Sequence, residues 1–135
     1  MATFLLDTSV IIDALNNKRG RPALLLELLN DGHLLACCPI NVTEVYAGLR
    51  PKEEVATEAF LASLQYFPIT VAAARSAGEL KREHRRKGIT LNLGDVIIAA
   101  VALSNQLILL TDNVKDFPMK ELSLYPLPKD NHAVG

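Results

Sequence analysis

The 135-residue sequence contains no tryptophan, and aromatic residues make up only 5% of it. This scarcity argues against a binding face of stacked aromatic rings, which many proteins use to hold single-stranded nucleic acid. Lysine and arginine number 14 against 15 aspartate and glutamate residues, which gives a net charge of −1. Any attraction to a polyanion must therefore come from a local basic patch and not from the molecule as a whole.

Cysteine and long apolar runs are also scarce. The two cysteines, Cys37 and Cys38, are neighbours, and two adjacent thiols supply neither a disulfide framework nor a zinc site, which predicts a reducing compartment. The longest charge-free apolar stretch, 96–111, contains three consecutive polar residues and is shorter than the about 20 residues of a membrane span. With Asp7 interrupting the first apolar run, we expect no signal peptide and no membrane segment, and predict a cytoplasmic protein.

Half of the residues are hydrophobic, which is typical of a folded domain, and the length predicts a single domain over 1–135 with a polar tail at 129–135. Apolar runs alternate with helical segments, a pattern typical of an α/β fold with a mostly parallel sheet of four to five strands and helices on both faces. Strands are expected at 3–6, 34–38, 66–70, 107–110 and, at an edge, 123–127. Helices are expected at 10–15, 22–29, from 41 or 43 to 49, 52–64, 71–87 and 95–105.

Acidic residues follow the ends of several expected strands. Asp7 follows the first strand directly, and Glu44 lies a few residues beyond the second. Asp112 and Asp116 follow the fourth strand. The short connection between the last helix and the fourth strand makes these two elements antiparallel, which brings Asp95, at the start of that helix, to the same edge. Since ligand sites in parallel sheets lie at the carboxyl ends of the strands, we expect these acids to converge.

Carboxylates that converge in one pocket repel one another unless a cation neutralises them. An oxygen-only set favours Mg²⁺ or Mn²⁺ over Zn²⁺, and such an ion activates water and stabilises charge on a phosphoryl oxygen. The pattern therefore indicates metal-assisted phosphodiester hydrolysis. Each acid alone has a structural alternative: Asp7 as a helix cap, Glu44 as the last residue of a capping box at 41–44, and Asp95 as a helix cap or dipole partner. Asp112 and Asp116 have the alternative of being ordinary loop acids.

Two basic segments are candidates for contact with RNA phosphates. The stretch 81–87 carries five positive charges against one negative, and a smaller basic loop at 18–21 precedes the second expected helix. The alternative for the first segment is a solvated helix end, where cations also favour the helix dipole. The candidate RNA-binding residues are Lys81, Arg82, Arg85, Arg86, Lys18 and Arg19.

Four short motifs, spread over nearly the whole chain, resemble the PIN-domain family and, within it, the VapC-type toxins of toxin–antitoxin pairs. They are LLDTSVIID at 5–13, VTEVYAG at 42–48, LGDVIIAA at 93–100 and LLTDNVKDF at 109–117. The resemblance implies a PIN-like three-layer fold. It also implies a catalytic, metal-binding set of acids, which are Asp7, Glu44, Asp95 and Asp116.

The fourth motif departs from the family pattern. In many members the position two after its threonine is an aspartate, and here it is Asn113. The similar toxins with asparagine at that point suggest Asp116 as the fourth acid and leave Asp112 an unassigned neighbour. Thr111 resembles the hydroxyl that the family places beside its site, where it orients water or a carboxylate.

The resemblance implies an Mg²⁺-dependent endoribonuclease, with Mn²⁺ as an alternative ion, that cuts structured RNA such as tRNA. It further implies a cognate VapB-type antitoxin and usually a homodimer. The leucine-rich segment 23–29 has more apolar positions than one buried face needs, which leaves leucines for a groove or a dimer surface unless all of them face the core.

Two other interpretations stay open at this point. One is a phosphatase with a strand-end aspartate, although Ser9 stands where such an enzyme has its second aspartate. The other is a non-catalytic RNA-binding or interaction module whose acids are structural. Metal-dependent cleavage of RNA distinguishes the nuclease from this module.

Overall fold

A five-stranded parallel sheet forms the centre of the computed structural model, which describes residues 1–128. The strands are β1 Thr3–Leu6, β2 Leu34–Cys37, β3 Gln65–Tyr66, β4 Ile108–Thr111 and β5 Leu124–Pro126. They are arranged in the order β3-β2-β1-β4-β5, and each neighbouring pair runs parallel. The predicted α/β fold and the edge position of the fifth strand are confirmed. The predicted polar tail lies outside the described residues.

Helices cover both faces of the sheet. They are α1 Thr8–Leu15, α2 Arg21–Asn30, α3 Pro39–Ala47, α4 Glu54–Ala62, α5 Val71–Arg86 and α6 Leu93–Ser104. Short 3-10 turns lie at Pro51–Glu53 and Val114–Asp116. None of the helices in this described part of the chain is both long enough and apolar enough to cross a membrane.

Two clusters of buried apolar side chains pack between the sheet and the helices, one on each face of the sheet. Leu5 and Leu109 of the central strands point to the face covered by α5 and α6, whereas Leu6 and Leu110 point to the face covered by α1, α2 and α4. Successive strand residues alternate between faces, so strands that are covered on both sides read as continuous apolar runs. This arrangement is the reason why the sequence locates β1 and β4 well.

Two elements, α3 and β3, differ from the sequence prediction in ways that matter here. Helix α3 begins at Pro39 and not at residue 41 or 43, because proline fits the first helical position and Cys38 precedes it as N-cap. The proposed capping box at 41–44 is therefore wrong: Asn41 accepts from the Cys38 N–H, and Glu44 is free for another role. Strand β3 has only two residues, and Pro68, which has no N–H to donate, lies in the expected strand region beyond it.

The starts of α1 and α6 also bear on the site. Asp7 is the N-cap of α1, with its side chain accepting from the Thr8 N–H, so its structural alternative is correct as well. Asn92 caps α6 by accepting from the N–H groups of Gly94 and Asp95. Asp95 is consequently not the cap and lies in the first turn of α6 with its carboxylate available.

Candidate active site

Asp7 is a buried carboxylate at the carboxyl end of β1, only 6% exposed. Its Oδ1 accepts from the Thr8 N–H at 2.9 Å, and its Oδ2 accepts from the Thr111 hydroxyl at 2.7 Å. Burial raises the pKa of Asp7, and the charge of nearby Asp112 acts in the same direction, while the two hydrogen bonds oppose the rise. Thr111 at the end of β4 therefore fixes the orientation of Asp7, as the sequence comparison with the family implied.

Three other acids lie close enough to Asp95 for their negative charges to act on its carboxyl group. Burial and the charges of Asp7, Asp116 and Glu44 together raise the pKa of Asp95 to about 6, with burial as the largest cause. Such interactions require the carboxylates to lie near one another. The structure thus brings together the four predicted acids, which come from β1, α3, α6 and the turn after β4.

Glu44 reaches this cluster from α3, where it is exposed. Its Oε1 accepts from the Thr8 hydroxyl at 2.6 Å. Its Oε2 lies 3.8 Å from the point where a Cβ on Gly94 would stand, next to the first turn of α6. The absence of a side chain on Gly94 therefore leaves room for the Glu44 carboxylate beside Asp95.

Asp112 behaves differently from the other acids because a buried arginine neutralises it. The Arg21 guanidinium lies 3.3 Å from Asp112 Oδ2, and both side chains are 3% exposed. The Ser9 hydroxyl donates to Asp112 Oδ1 at 2.9 Å, so both carboxylate oxygens have a partner. Asp112 is therefore an internally compensated neighbour and not an ordinary loop acid, whereas Asp116 adds to the charge around Asp95.

Arg21 was counted with the basic loop in the sequence, and that assignment is wrong. The arginine is buried, and its guanidinium also donates to the Pro128 carbonyl at 2.7 Å. Because Arg21 and Asp112 are 91 residues apart, no local pattern could have paired them. In the sequence, Arg21 stands immediately before Pro22, and this position indicates only that a helix begins there. It does not indicate which acid Arg21 pairs with.

Asn113 lies beside the same network. Its backbone N–H donates to the Thr111 hydroxyl oxygen at 2.9 Å, and its side chain amide donates to Ser9 Oγ at 3.4 Å. The predicted auxiliary residues Thr111, Asn113 and Asp112 are therefore all adjacent to Asp7, and their contacts are to protein groups. They shape the pocket from the β4 side.

The basic candidates fall into two groups. Lys81 donates to the Leu91 carbonyl, which joins the end of α5 to the segment before Asp95. Three further cations in that region, Arg82, Arg85 and Arg86, are exposed. In the smaller basic loop, Lys18 is exposed, while Arg19 pairs with the buried Asp13 at 2.9 Å.

The donor set fits a hard divalent cation. The acids around Asp95 offer only oxygen atoms, and their mutual repulsion raises its pKa, so an added cation would relieve that repulsion. Within residues 1–128, no three Asp, Glu, His or Cys side chains lie close enough together to form a ready-made metal cage. The carboxylates that could hold such an ion are the four that interact around Asp95, namely Asp7, Glu44, Asp95 and Asp116.

The chain resembles characterised proteins over nearly its whole length. Ribonuclease VapC19 of Mycobacterium tuberculosis is 36% identical over 115 residues, which cover 85% of this chain and 92% of the relative. The tRNA(fMet)-specific endonuclease VapC of Shigella flexneri is 29% identical over 123 residues, covering 87% of this chain and 91% of the relative.

Solved structures agree with the fold. VapBC2 from Rickettsia felis, bound to a DNA fragment from its promoter, aligns with a TM-score of 0.82 at 24% identity, over 93% of this chain and 98% of that chain. A toxin–antitoxin complex from Klebsiella pneumoniae aligns with a TM-score of 0.73 at 26% identity, over 94% of this chain and 100% of that chain. A family model for the PIN domain matches residues 4–118. The chain therefore belongs to the PIN-domain family, among its members named VapC ribonucleases.

Proposed function

We propose that the protein is a metal-dependent endoribonuclease toxin that hydrolyses phosphodiester bonds in RNA. The observation that carries the proposal is the convergence of Asp7, Glu44 and Asp116 on Asp95, which creates a pocket of uncompensated negative charge at the carboxyl edge of the sheet. Relatives of similar length are named ribonucleases, and VapC nucleases of the PIN family depend on metal in general. If these acids had only a structural role, we would expect cationic side chains to compensate their charge.

The ion proposed is Mg²⁺, with Mn²⁺ as a substitute, because all the candidate ligands are carboxylate oxygens. When bound, it would supply an activated water and stabilise charge on the phosphoryl oxygen. Asp7 and Asp95 are the proposed direct ligands and Asp116 the fourth acid. Glu44 either ligates or positions the attacking water as a base.

These roles depend on the hydrogen bonds that hold the carboxylates of Asp7 and Glu44 in place. Thr111 fixes the Asp7 carboxylate, and Thr8 fixes one oxygen of Glu44. Asp112 is proposed as an auxiliary residue because Arg21 already neutralises it. Asp112 is therefore set apart from the proposed ligands by its buried cationic partner.

The substrate is proposed to be structured RNA such as tRNA, guided by the basic end of α5. Lys81 ties this end to Leu91, four residues before Asp95, so Arg82, Arg85 and Arg86 lie on an element that leads to the acidic pocket. An acidic pocket repels phosphates, and nearby cations offset that repulsion. Lys18 and Arg19 are proposed as secondary contacts.

A direct assay tests the nuclease function. Purified, antitoxin-free protein is incubated with tRNA and with total RNA, with Mg²⁺, with Mn²⁺ and with a chelator. Cleavage is expected only with a divalent ion and is expected to be lost in an Asp7→Asn variant. Asp31→Asn is the matched control, since Asp31 is an exposed acid at the end of α2. Metal-independent cleavage, or full activity of Asp7→Asn, contradicts the proposal.

The alternatives predict different results. A non-catalytic RNA-binding module binds RNA in the same assay but leaves it uncut with every ion. A phosphatase releases inorganic phosphate from monoesters and spares internal bonds. Ser9 stands where such a phosphatase has its second aspartate, and it offers a hydroxyl bonded to Asp112 and Asn113 in place of that carboxylate.

The partner is proposed to be a VapB-type antitoxin, in an assembly with a toxin homodimer. An apolar groove of about 430 Å³ lies between α2 and α4, with β2 at its base. Leu26 and Leu29 of α2 line it and are 58% and 47% exposed, so the prediction that some leucines remain outside the core is confirmed. An amphipathic antitoxin helix fits such a groove, and basic residues on its tail would pair with the acids of the pocket.

A further inference from the structure

Three hydrogen bonds in a row connect the backbone at the end of β2 with the Glu44 carboxylate. The Cys38 N–H donates to Asn41 Oδ1 at 2.8 Å, and Asn41 Nδ2 donates to Thr8 Oγ1 at 3.0 Å. The Thr8 hydroxyl donates to Glu44 Oε1 at 2.6 Å. Asn41 is completely buried and Thr8 is 9% exposed, so water competes little for the two bonds that Asn41 makes.

The direction of each bond follows from the supply of protons. A backbone N–H can only donate, so Asn41 turns its oxygen to Cys38 and its amide nitrogen to Thr8. A threonine hydroxyl has a single proton, and because its oxygen accepts from Asn41, that proton is left for Glu44. Glu44 Oε1 is therefore held in place as an acceptor.

Thr8 also touches a second acid of the pocket. Its backbone N–H donates to Asp7 Oδ1 at 2.9 Å, while its side chain donates to Glu44. One residue therefore holds two carboxylates of like charge, and both of its donors oppose their repulsion. A helix cap alone requires only the backbone contact.

We propose that Thr8 and Asn41 are positioning residues that act through Glu44. Glu44 is an exposed, flexible side chain on α3, and without the hydroxyl of Thr8 it has several rotamers of similar energy. Holding Oε1 directs Oε2 to the space beside Gly94, at the first turn of α6. The effect on RNA cleavage rests on the proposed function, whereas the effect on the position of Glu44 does not.

The test removes or reverses single bonds in the full-length protein. Thr8→Val keeps the shape of the side chain and removes the hydroxyl, and Thr8→Ser restores it. Asn41→Asp still accepts from the Cys38 N–H but has no proton for Thr8, so the hydroxyl turns to the new carboxylate and leaves Glu44. Thr57→Val is the control, since Thr57 is a threonine buried in α4 and lines a different cavity.

We expect Thr8→Val and Asn41→Asp to lower kcat for RNA cleavage roughly 10- to 100-fold, the range found for groups that orient a metal site. KM should change little because neither side chain is placed to touch RNA, and Thr8→Ser should recover most of kcat. On a Glu44→Gln background, Thr8→Val should cost no further activity, because residues that act through one group are not additive. Full kcat in both Thr8→Val and Asn41→Asp overturns the proposal.

A crystallographic readout does not depend on activity. In Thr8→Val and Asn41→Asp, Glu44 should leave its position beside Gly94 or become disordered, and it should return in Thr8→Ser. An unmoved Glu44 in both variants overturns the positioning role even if RNA cleavage is lost. If the parent protein cleaves no RNA, the proposed function fails, and the position of Glu44 still decides this inference.

Discussion

At the scale of single residues, the pocket is defined by which carboxylates are compensated. The charge of Asp95 is opposed by burial and by three acids, and its pKa of about 6 means that folding favours its protonated form. The metal-free native state therefore binds more protons than the unfolded state between the ordinary value of 3.8 and about 6. The free energy of unfolding of the metal-free protein must therefore fall as the pH rises through this interval. Above the interval, Asp95 causes no further fall.

This relation predicts the stability of a neutral variant. Asp95→Asn removes the repulsion, so at pH 7.5 without metal its melting temperature should be equal to that of the parent or a few degrees higher. At pH 4, where the parent carboxyl is largely protonated, the difference should nearly vanish. Calorimetry at both pH values, in a chelator, measures this difference, with Asp31→Asn as the exposed control. The same Asp95→Asn variant should be inactive on RNA, and full activity would remove Asp95 from the catalytic set.

The buried pair of Arg21 and Asp112 predicts the opposite effect on stability. Arg21→Met leaves the Asp112 charge uncompensated in the interior, and breaking a buried ion pair in this way costs about 3–5 kcal/mol of unfolding free energy. Adding Asp112→Asn should recover part of the loss, because no buried charge then remains. Arg19→Met, which breaks the more exposed pair with Asp13, should cost less than about 1 kcal/mol. Urea denaturation of the parent and of the three variants measures these differences in unfolding free energy. An Arg21→Met variant as stable as Arg19→Met would contradict the prediction.

At the scale of elements, the sequence located the strands and helices better than it located their ends. The buried strands β1 and β4 are visible because apolar residues on both faces leave no polar interruption. The start of α3 was misplaced because Asn41, a strong capping residue, serves within the helix and accepts from the residue before it. That error bears on the site, because the capping box was the structural alternative to a functional role for Glu44, and the observed bond of Asn41 excludes it.

The basic end of α5 makes a prediction about RNA binding. Replacing Arg82, Arg85 and Arg86 with glutamine should weaken RNA binding and lower its salt dependence by about one unit of slope per lost phosphate contact, with little change in sequence preference. Lys81 is left in place because it bonds the Leu91 carbonyl and its loss would disturb the loop. Filter binding over a range of salt concentrations measures the slope.

The matched control for this measurement removes the same amount of charge elsewhere. Lys52, Arg75 and Lys120 are exposed cations outside this end of α5, and their triple glutamine variant has the same net charge. It should keep most of the affinity and the slope. Equal losses in the two triple variants would show that only net charge matters and that the end of α5 is a solvated helix end.

At the scale of the whole molecule, the sequence predicted that acids from distant parts of the chain lie near one another, but not which of them has a cationic partner. The rule that parallel strands end at one edge placed Asp7 and Glu44 together, and the short connection between α6 and β4 placed Asp95 at the same edge. The hydrogen-bond partners of Asp112 depend on contacts between residues about 90 or more positions apart, which no spacing rule reveals. Long-range pairing of polar side chains is therefore where the structure adds most to the sequence.

The groove between α2 and α4 allows the partner to be tested separately from the chemistry. Leu26→Glu and Leu29→Glu put charges on exposed leucines of the groove, so the fold should persist while an apolar antitoxin helix loses its contacts. A loss of about 2 kcal/mol of binding free energy, the size of an interface hot spot, weakens the complex roughly 30-fold. Co-expression with the product of the adjacent small open reading frame, followed by affinity purification and a titration, measures the loss.

Val71→Glu provides the comparison, because Val71 is a 76% exposed apolar residue at the start of α5, on the other face of the sheet. It should bind the antitoxin as the parent does. All three variants should cleave RNA when free, since none touches the acids of the pocket, but the groove variants should resist inhibition. Groove variants that are inhibited as tightly as Val71→Glu would place the antitoxin elsewhere on the molecule. Failure of the parent protein to co-purify with the small protein would refute the toxin–antitoxin assignment and leave the nuclease proposal intact.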